Sequence, residues 1–145
     1  MTILLAIFAG LLGLVVGSFL NVCIYRLPRQ ESVTWPGSRC TACDRPLAWY
    51  ENIPLVSWLA LRGRCRTCRV PISPVYPAVE AITGAIFVAG FFIYGPTPLL
   101  AARLLFAAAM IVLFFIDLRH HILPNAITLP GIAIGFALSF VLPPG

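Results

Sequence analysis

The sequence predicts an all-α polytopic membrane protein of about four transmembrane helices, with a small four-cysteine loop domain between the first and the second. Three observations carry that reading. Hydrophobic residues make up 60% of the chain and its mean hydropathy is +0.95, against the roughly 45–50% apolar content of soluble domains. The apolar residues gather in four runs of about the ~20 residues that cross ~30 Å of hydrocarbon. All ten basic residues are arginines, and eight of them (Arg26, Arg29, Arg39, Arg45, Arg62, Arg64, Arg66, Arg69) fall between the first two runs. The expected division is a first transmembrane helix over 1–25, a loop domain over 26–75, and helices two to four over 76–145. A large soluble domain is excluded by length.

Positive residues in a short loop between spans stay on the cytoplasmic side, so the arginine cluster predicts a cytoplasmic loop and an outward Met1. The net charge of +5 is thus a topology signal first. Contact with anionic membrane lipid is expected of such a loop, and nucleic-acid binding is not.

The first run, about Ile3 to Tyr25, has no charge before it and no small-residue cleavage pattern after it, so it is expected to be a retained span. Gly10, Gly13, Gly17 and Asn21 share one helical face, which predicts a smooth surface for another span, and Gly13 with Gly17 forms a GxxxG pair. Cys23 in the same run is expected to pack as a small residue. The second span is expected from about Tyr76 to Tyr94, with Glu80 one turn inside it. The stretch "YGPTP" then breaks the helix, since two prolines and a glycine in five residues favour a tight turn. A third span, about Leu99 to Ile116, carries Arg103 near its outer end, where a long side chain reaches the interface. Asp117 closes that span, the polar turn "DLRHHILPN" follows, and a fourth span is expected from Ala126 to Leu142 before "PPG". No clear internal repeat is read along the chain.

Between the first two spans, Cys40 and Cys43 form one C-x-x-C and Cys65 and Cys68 a second. Two such pairs complete the four-sulfur tetrahedral shell that structural zinc prefers, and this shell leaves no open position for chemistry. Two disulfides are the competing reading, disfavoured by a reducing cytoplasm. Zinc would fold a loop too short to build its own core. Trp49, Tyr50, Trp58 and Leu59, with Arg62 and Arg64, are expected to anchor the loop at headgroup level.

Three stretches resemble the amino-terminal half of the type IV prepilin peptidases: "GSFLNVCIYRLPR" (17–29), "SRCTACDRPLAWYENIPLVSWLALRGRCRTCRVPISPVYPAVEAITG" (38–84) and "IDLRHHILPNAITLPG" (116–131). The resemblance covers nearly the whole chain. It implies a multi-pass protein of the bacterial inner membrane with a periplasmic N-terminus. It also implies an aspartic endopeptidase that removes the basic leader of type IV prepilins and type II secretion pseudopilins at the cytoplasmic face. Many members then N-methylate the new terminal residue with S-adenosylmethionine, so that cofactor is expected beside structural zinc. No glycine-rich motif marks its site, and its binding residues stay unassigned.

By the same resemblance Asp117 is the first of two catalytic aspartates. Physical cost points the same way, because an aspartate at mid-membrane costs about 2.5–3.5 kcal/mol on insertion scales. The plainer alternative is a helix-ending residue, or one paired with Arg119. A dyad needs two carboxylates sharing a proton, one as base on water and one polarising the scissile carbonyl. The family's second aspartate lies in a glycine, any residue, glycine, aspartate motif on a later span; here no two of the eleven glycines are two positions apart and no aspartate follows Asp117. The second carboxylate is expected from a longer chain, a partner chain or a symmetric homodimer, and these residues alone are expected to be inactive.

Glu80 is expected to orient a substrate amine or to pair with a loop arginine. His120 and His121 are read as solvated or interfacial rather than as metal ligands with Asp117. Pro124 and Asn125 are expected to open the fourth helix, with Asn125 as cap. A different class of function also fits: a non-catalytic membrane scaffold with a zinc-stabilised interaction loop, which leaves Asp117 without a purpose.

Overall fold

The computed structural model describes residues 1–141. The predicted end of the fourth span at Leu142 and the "PPG" after it lie outside the described residues. Five helices follow in order: α1 (Thr2–Arg26), the short α2 (Val56–Ala60), α3 (Val75–Tyr94), α4 (Pro98–His120) and α5 (Asn125–Val141). Among the described residues β-structure is limited to two isolated antiparallel bridges. Three helices, α1, α3 and α4, are long and apolar enough to cross a membrane. The predicted fourth span coincides with α5, an apolar helix of 17 residues over its described part.

The glycine face of α1 lies against α3. A Cβ at Gly17 would stand 2.7 Å from Glu80 Cα, and one at Gly13 would stand 2.8 Å from Gly84 Cα. Helices meet this closely only where a side chain is missing, and close approach is the main source of packing attraction between helices in lipid. Asn21 completes the face by donating its side-chain amide to the Tyr76 carbonyl at 2.9 Å. Gly17→Val is expected to force the two backbones apart at a cost of about 1–3 kcal/mol, read as a lower thermal midpoint in detergent. An unchanged midpoint would count against this contact as the seam of the fold.

α4 closes the bundle across both partners. Leu20, Cys23 and Ile24 of α1, Val79 of α3, and Ile111, Val112 and Ile116 of α4 form the shared core. Cys23 therefore packs as its position suggested. Outward-facing Phe8, Leu11, Phe92, Leu105 and Phe114 stay exposed, as expected of surfaces that face lipid.

The α3–α4 turn follows its sequence chemistry. Gly95 takes a positive φ of 62°, and the Thr97 hydroxyl accepts from the Leu100 amide at 3.3 Å while donating to the Tyr94 carbonyl at 3.1 Å. Arg103 lies over the Tyr94 ring, 5.7 Å from its centroid, so its charge is held at the turn by an aromatic face.

At the far end of α4 the structure departs from the sequence reading. The helix runs past Asp117 to His120 and stops where His121 turns left-handed, its amide still bonded to the Asp117 carbonyl at 2.9 Å. Nothing before Pro124 forbids helical backbone, so polarity alone did not end the helix. Asn125 is also not the cap: the Pro124 carbonyl accepts from the Ile127 and Thr128 amides, which puts Asn125 inside the first turn.

Candidate metal centre and adjoining cleft

The cysteine loop is built from one small motif used twice. The pattern R-C-x-x-C-x-x-P occurs at 39–46 and again at 64–71. In the first copy the Cys40 amide donates to the Arg45 carbonyl at 2.9 Å and the Leu47 amide to the Ser38 carbonyl at 2.9 Å; in the second, Cys65 pairs with Val70 at 2.9 Å and Ile72 with Gly63 at 2.7 Å. Asp44 and Arg69, each just after its second cysteine, both take left-handed backbone, with φ of 55° and 58°. The chain thus does contain an internal repeat, which the sequence reading missed because half of its eight positions vary.

The two knuckles face each other. The four sulfurs of Cys40, Cys43, Cys65 and Cys68 lie within 4.8 Å of one another, and the Cys40 and Cys68 sulfurs are 3.8 Å apart. A tetrahedral zinc shell with Zn–S of ~2.3 Å needs sulfurs about 3.8 Å apart, so the donor set fits the ion. All four are free thiols rather than disulfides.

The local electrostatics also suit a cation. The backbone amides of Cys68 and then Thr67 hold the Cys65 thiol down to about 6. At Cys68 the Val70 amide favours the thiolate, but burial and the three neighbouring sulfurs outweigh it and push the thiol up to about 11. Four thiolates this close repel, and a divalent ion removes the conflict. Beside them, Arg45 makes a two-pronged pair with Glu51 at 2.7 and 3.0 Å, and Glu51 also accepts from the Ala48 amide at 2.8 Å. The Arg45 contact, followed by the Ala48 amide, holds the Glu51 carboxyl below the usual range, and Glu51 raises Arg45 in turn. Among the described residues the buried Arg45 Nε has no hydrogen-bond partner.

Two fastenings join the loop to the bundle. Buried Arg26 at the end of α1 donates to the Ser32 and Gly37 carbonyls at 2.9 and 3.1 Å. Buried Glu80 in α3 accepts the Leu55 amide at 2.8 Å. Glu80 therefore holds loop backbone, where the sequence reading expected a substrate amine or an arginine. Trp58 is turned inward as well, its ring over Gly63 and its Nε1 donating to the Ile72 carbonyl at 3.2 Å, so it braces the second knuckle instead of anchoring the loop at headgroup level.

Between the loop and the loop-side ends of α1, α3 and α4 lies a cleft of about 880 Å³, with Asn21, Tyr25, Arg66, Tyr76, Glu80 and His120 among its walls. No linear motif marks it. Asp117 is not part of these walls. Its residue is exposed, on the same end of α4 as Arg119 and His120, and among the described residues its carboxylate has neither an ion pair nor a side-chain hydrogen bond. The structure therefore gathers the four cysteines and leaves Asp117 apart from them.

Comparison with known proteins adds the following. The family model "Bacterial Peptidase A24 N-terminal domain" matches residues 11–94. A Myxococcus xanthus protein named "Prepilin leader peptidase/N-methyltransferase" is 53% identical over 139 residues, which cover 96% of this chain and 42% of that protein. Proteins of the same name from Klebsiella pneumoniae and Pectobacterium carotovorum are 42% identical over 85% of this chain and 57% of theirs, and 40% identical over 87% and 53%. The chain spans about half the length of the curated relatives it matches. No solved structure matches.

Proposed function

The chain belongs to the prepilin leader peptidase/N-methyltransferase family and carries its bacterial A24 N-terminal domain, and from that premise we propose that it serves leader removal from type IV prepilins and type II secretion pseudopilins, followed by N-methylation of the new terminus. The observation that carries the peptidase half is Asp117: an exposed carboxylate without a partner among the described residues, at the end of α4 that also lines the loop-side cleft. In an aspartyl dyad one carboxylate takes a proton from water as it attacks the scissile carbonyl, and the other, protonated, hydrogen-bonds the carbonyl oxygen. Asp117 is one member. The second comes from outside these residues, from a longer chain, a partner chain or a second copy.

The methyltransfer half is assigned to the cleft. S-adenosylmethionine, when bound there, supplies the methyl group. The volume of about 880 Å³ is within the ~300–1,000 Å³ typical of small-molecule sites. Tyr25 and Tyr76 are aromatic residues of its walls, and Arg66 is a counter-charge for a carboxylate. Zinc, held by four thiolates, has no free position and acts by fixing the walls. The arginine-rich loop faces the cytoplasm in this reading, in a bacterial inner membrane.

The test uses the intact protein in its membrane with an intact prepilin and S-adenosylmethionine. Release of the leader and gain of one methyl group on the new terminus are expected. A substrate recovered whole would overturn the peptidase reading, and a cleaved but unmethylated product the methyltransfer reading.

A further inference from the structure

The zinc loop turns an apolar stripe away from its own interior. In α2, Val56, Leu59 and Ala60 stand at i, i+3 and i+4, and exposed Ile53 lies just before the helix, ahead of Pro54 and a left-handed Leu55. Val56 is 59% and Leu59 67% exposed, while Trp58 on the other side of α2 is bonded inward to Ile72. A stripe of this kind on a loop with so little interior of its own calls for an outside partner.

Its position says which partner. The Leu55 amide is held by Glu80, five residues after the start of α3 at Val75, hence about 8 Å along a membrane-spanning helix. Leu55 also closes the loop-side end of an apolar groove between α1 and α3, alongside Leu14, Ala81, Gly84 and Ala85. The stripe begins at Val56, the residue after this contact, and helices that lie in an interface sit about 5–10 Å into the headgroup boundary. Exposed Arg62 and Arg64 follow directly, with the sign that anionic lipid attracts.

We propose that Ile53–Ala60 is an interfacial anchor: its apolar stripe lies in the headgroup layer of the loop-side leaflet, with Arg62 and Arg64 on the phosphates of anionic phospholipid. The anchor holds the zinc knuckles close to the bilayer and the cleft at the membrane surface. It does not depend on which reaction the cleft serves.

The experiment places the photoreactive residue benzoylphenylalanine at position 59, or at position 67 on the exposed second knuckle, in the intact protein in nanodiscs of phosphatidylethanolamine and phosphatidylglycerol. Zinc content confirms that each variant is folded. Illumination is expected to give about fivefold more phospholipid adduct at position 59 than at position 67. Phosphatidylglycerol is expected to be enriched about twofold over its share of the bilayer, and the enrichment to vanish in the Arg62→Gln, Arg64→Gln variant. Equal lipid yields at the two positions, or adducts at 59 to protein alone, from a later segment or a second copy, would overturn the anchor. Adducts without phosphatidylglycerol enrichment would overturn the role of the two arginines.

Discussion

Removing the metal, by a strong chelator or by Cys40→Ser with Cys43→Ser, is expected to release one zinc ion per chain and to unfold the segment between α1 and α3. Between Leu27 and Pro74 only Glu51, Gly63 and Cys65 are buried, so the segment has no apolar core to fall back on. In small zinc modules the apparent binding energy is on the order of 10–16 kcal/mol, and it is also the folding energy. Limited proteolysis should then cut within 38–72 many times faster, while α1, α3 and α4 stay protected by their own packing. Metal analysis finding no zinc in the purified protein would contradict the account. A loop still resistant to protease after chelation of zinc-loaded protein would show that the metal is not what folds it.

A second large effect is expected at Asp117. Asp117→Asn removes a charge from an exposed site without a partner among the described residues, so stability should change by no more than about 0.5 kcal/mol. Leader cleavage should nevertheless fall by about 10³-fold or more, as losses of single members of catalytic sets commonly do. The pairing of a large kinetic loss with an unmoved thermal midpoint separates catalysis from structure. It is measured by prepilin cleavage in membranes, beside thermal unfolding of the same preparation.

The parts of this molecule that the sequence made legible are those where residue type alone sets geometry. Two C-x-x-C pairs predicted a four-sulfur cluster, and the structure brings those sulfurs within 4.8 Å. Glycines at 10, 13 and 17 predicted a smooth face, and α3 fills it. "YGPTP" predicted a tight turn, and Thr97 and Gly95 make it. What stayed hidden depends on backbone groups and on distant segments meeting. The partner of Glu80 is a backbone amide, which has no letter in the sequence. The inward turn of Trp58 rests on a carbonyl 14 residues away. The extra turn of α4 beyond Asp117 has no signal in residue type, because polar residues do not end a helix, whereas a left-handed His121 and then Pro124 do. The cleft is formed by three helix ends and a loop, so no single stretch announces it.

Cleavage and methylation are assigned to different places, Asp117 and the loop-side cleft, and one measurement separates them. Asp117→Asn protein in membranes is given S-adenosylmethionine with either an intact prepilin or the same substrate already freed of its leader, and the products are weighed by mass spectrometry. The expected result is an intact prepilin left whole and a pre-cleaved substrate that gains one methyl group. Cleavage of the intact prepilin at the wild-type rate would contradict the role given to Asp117 and the account built on it.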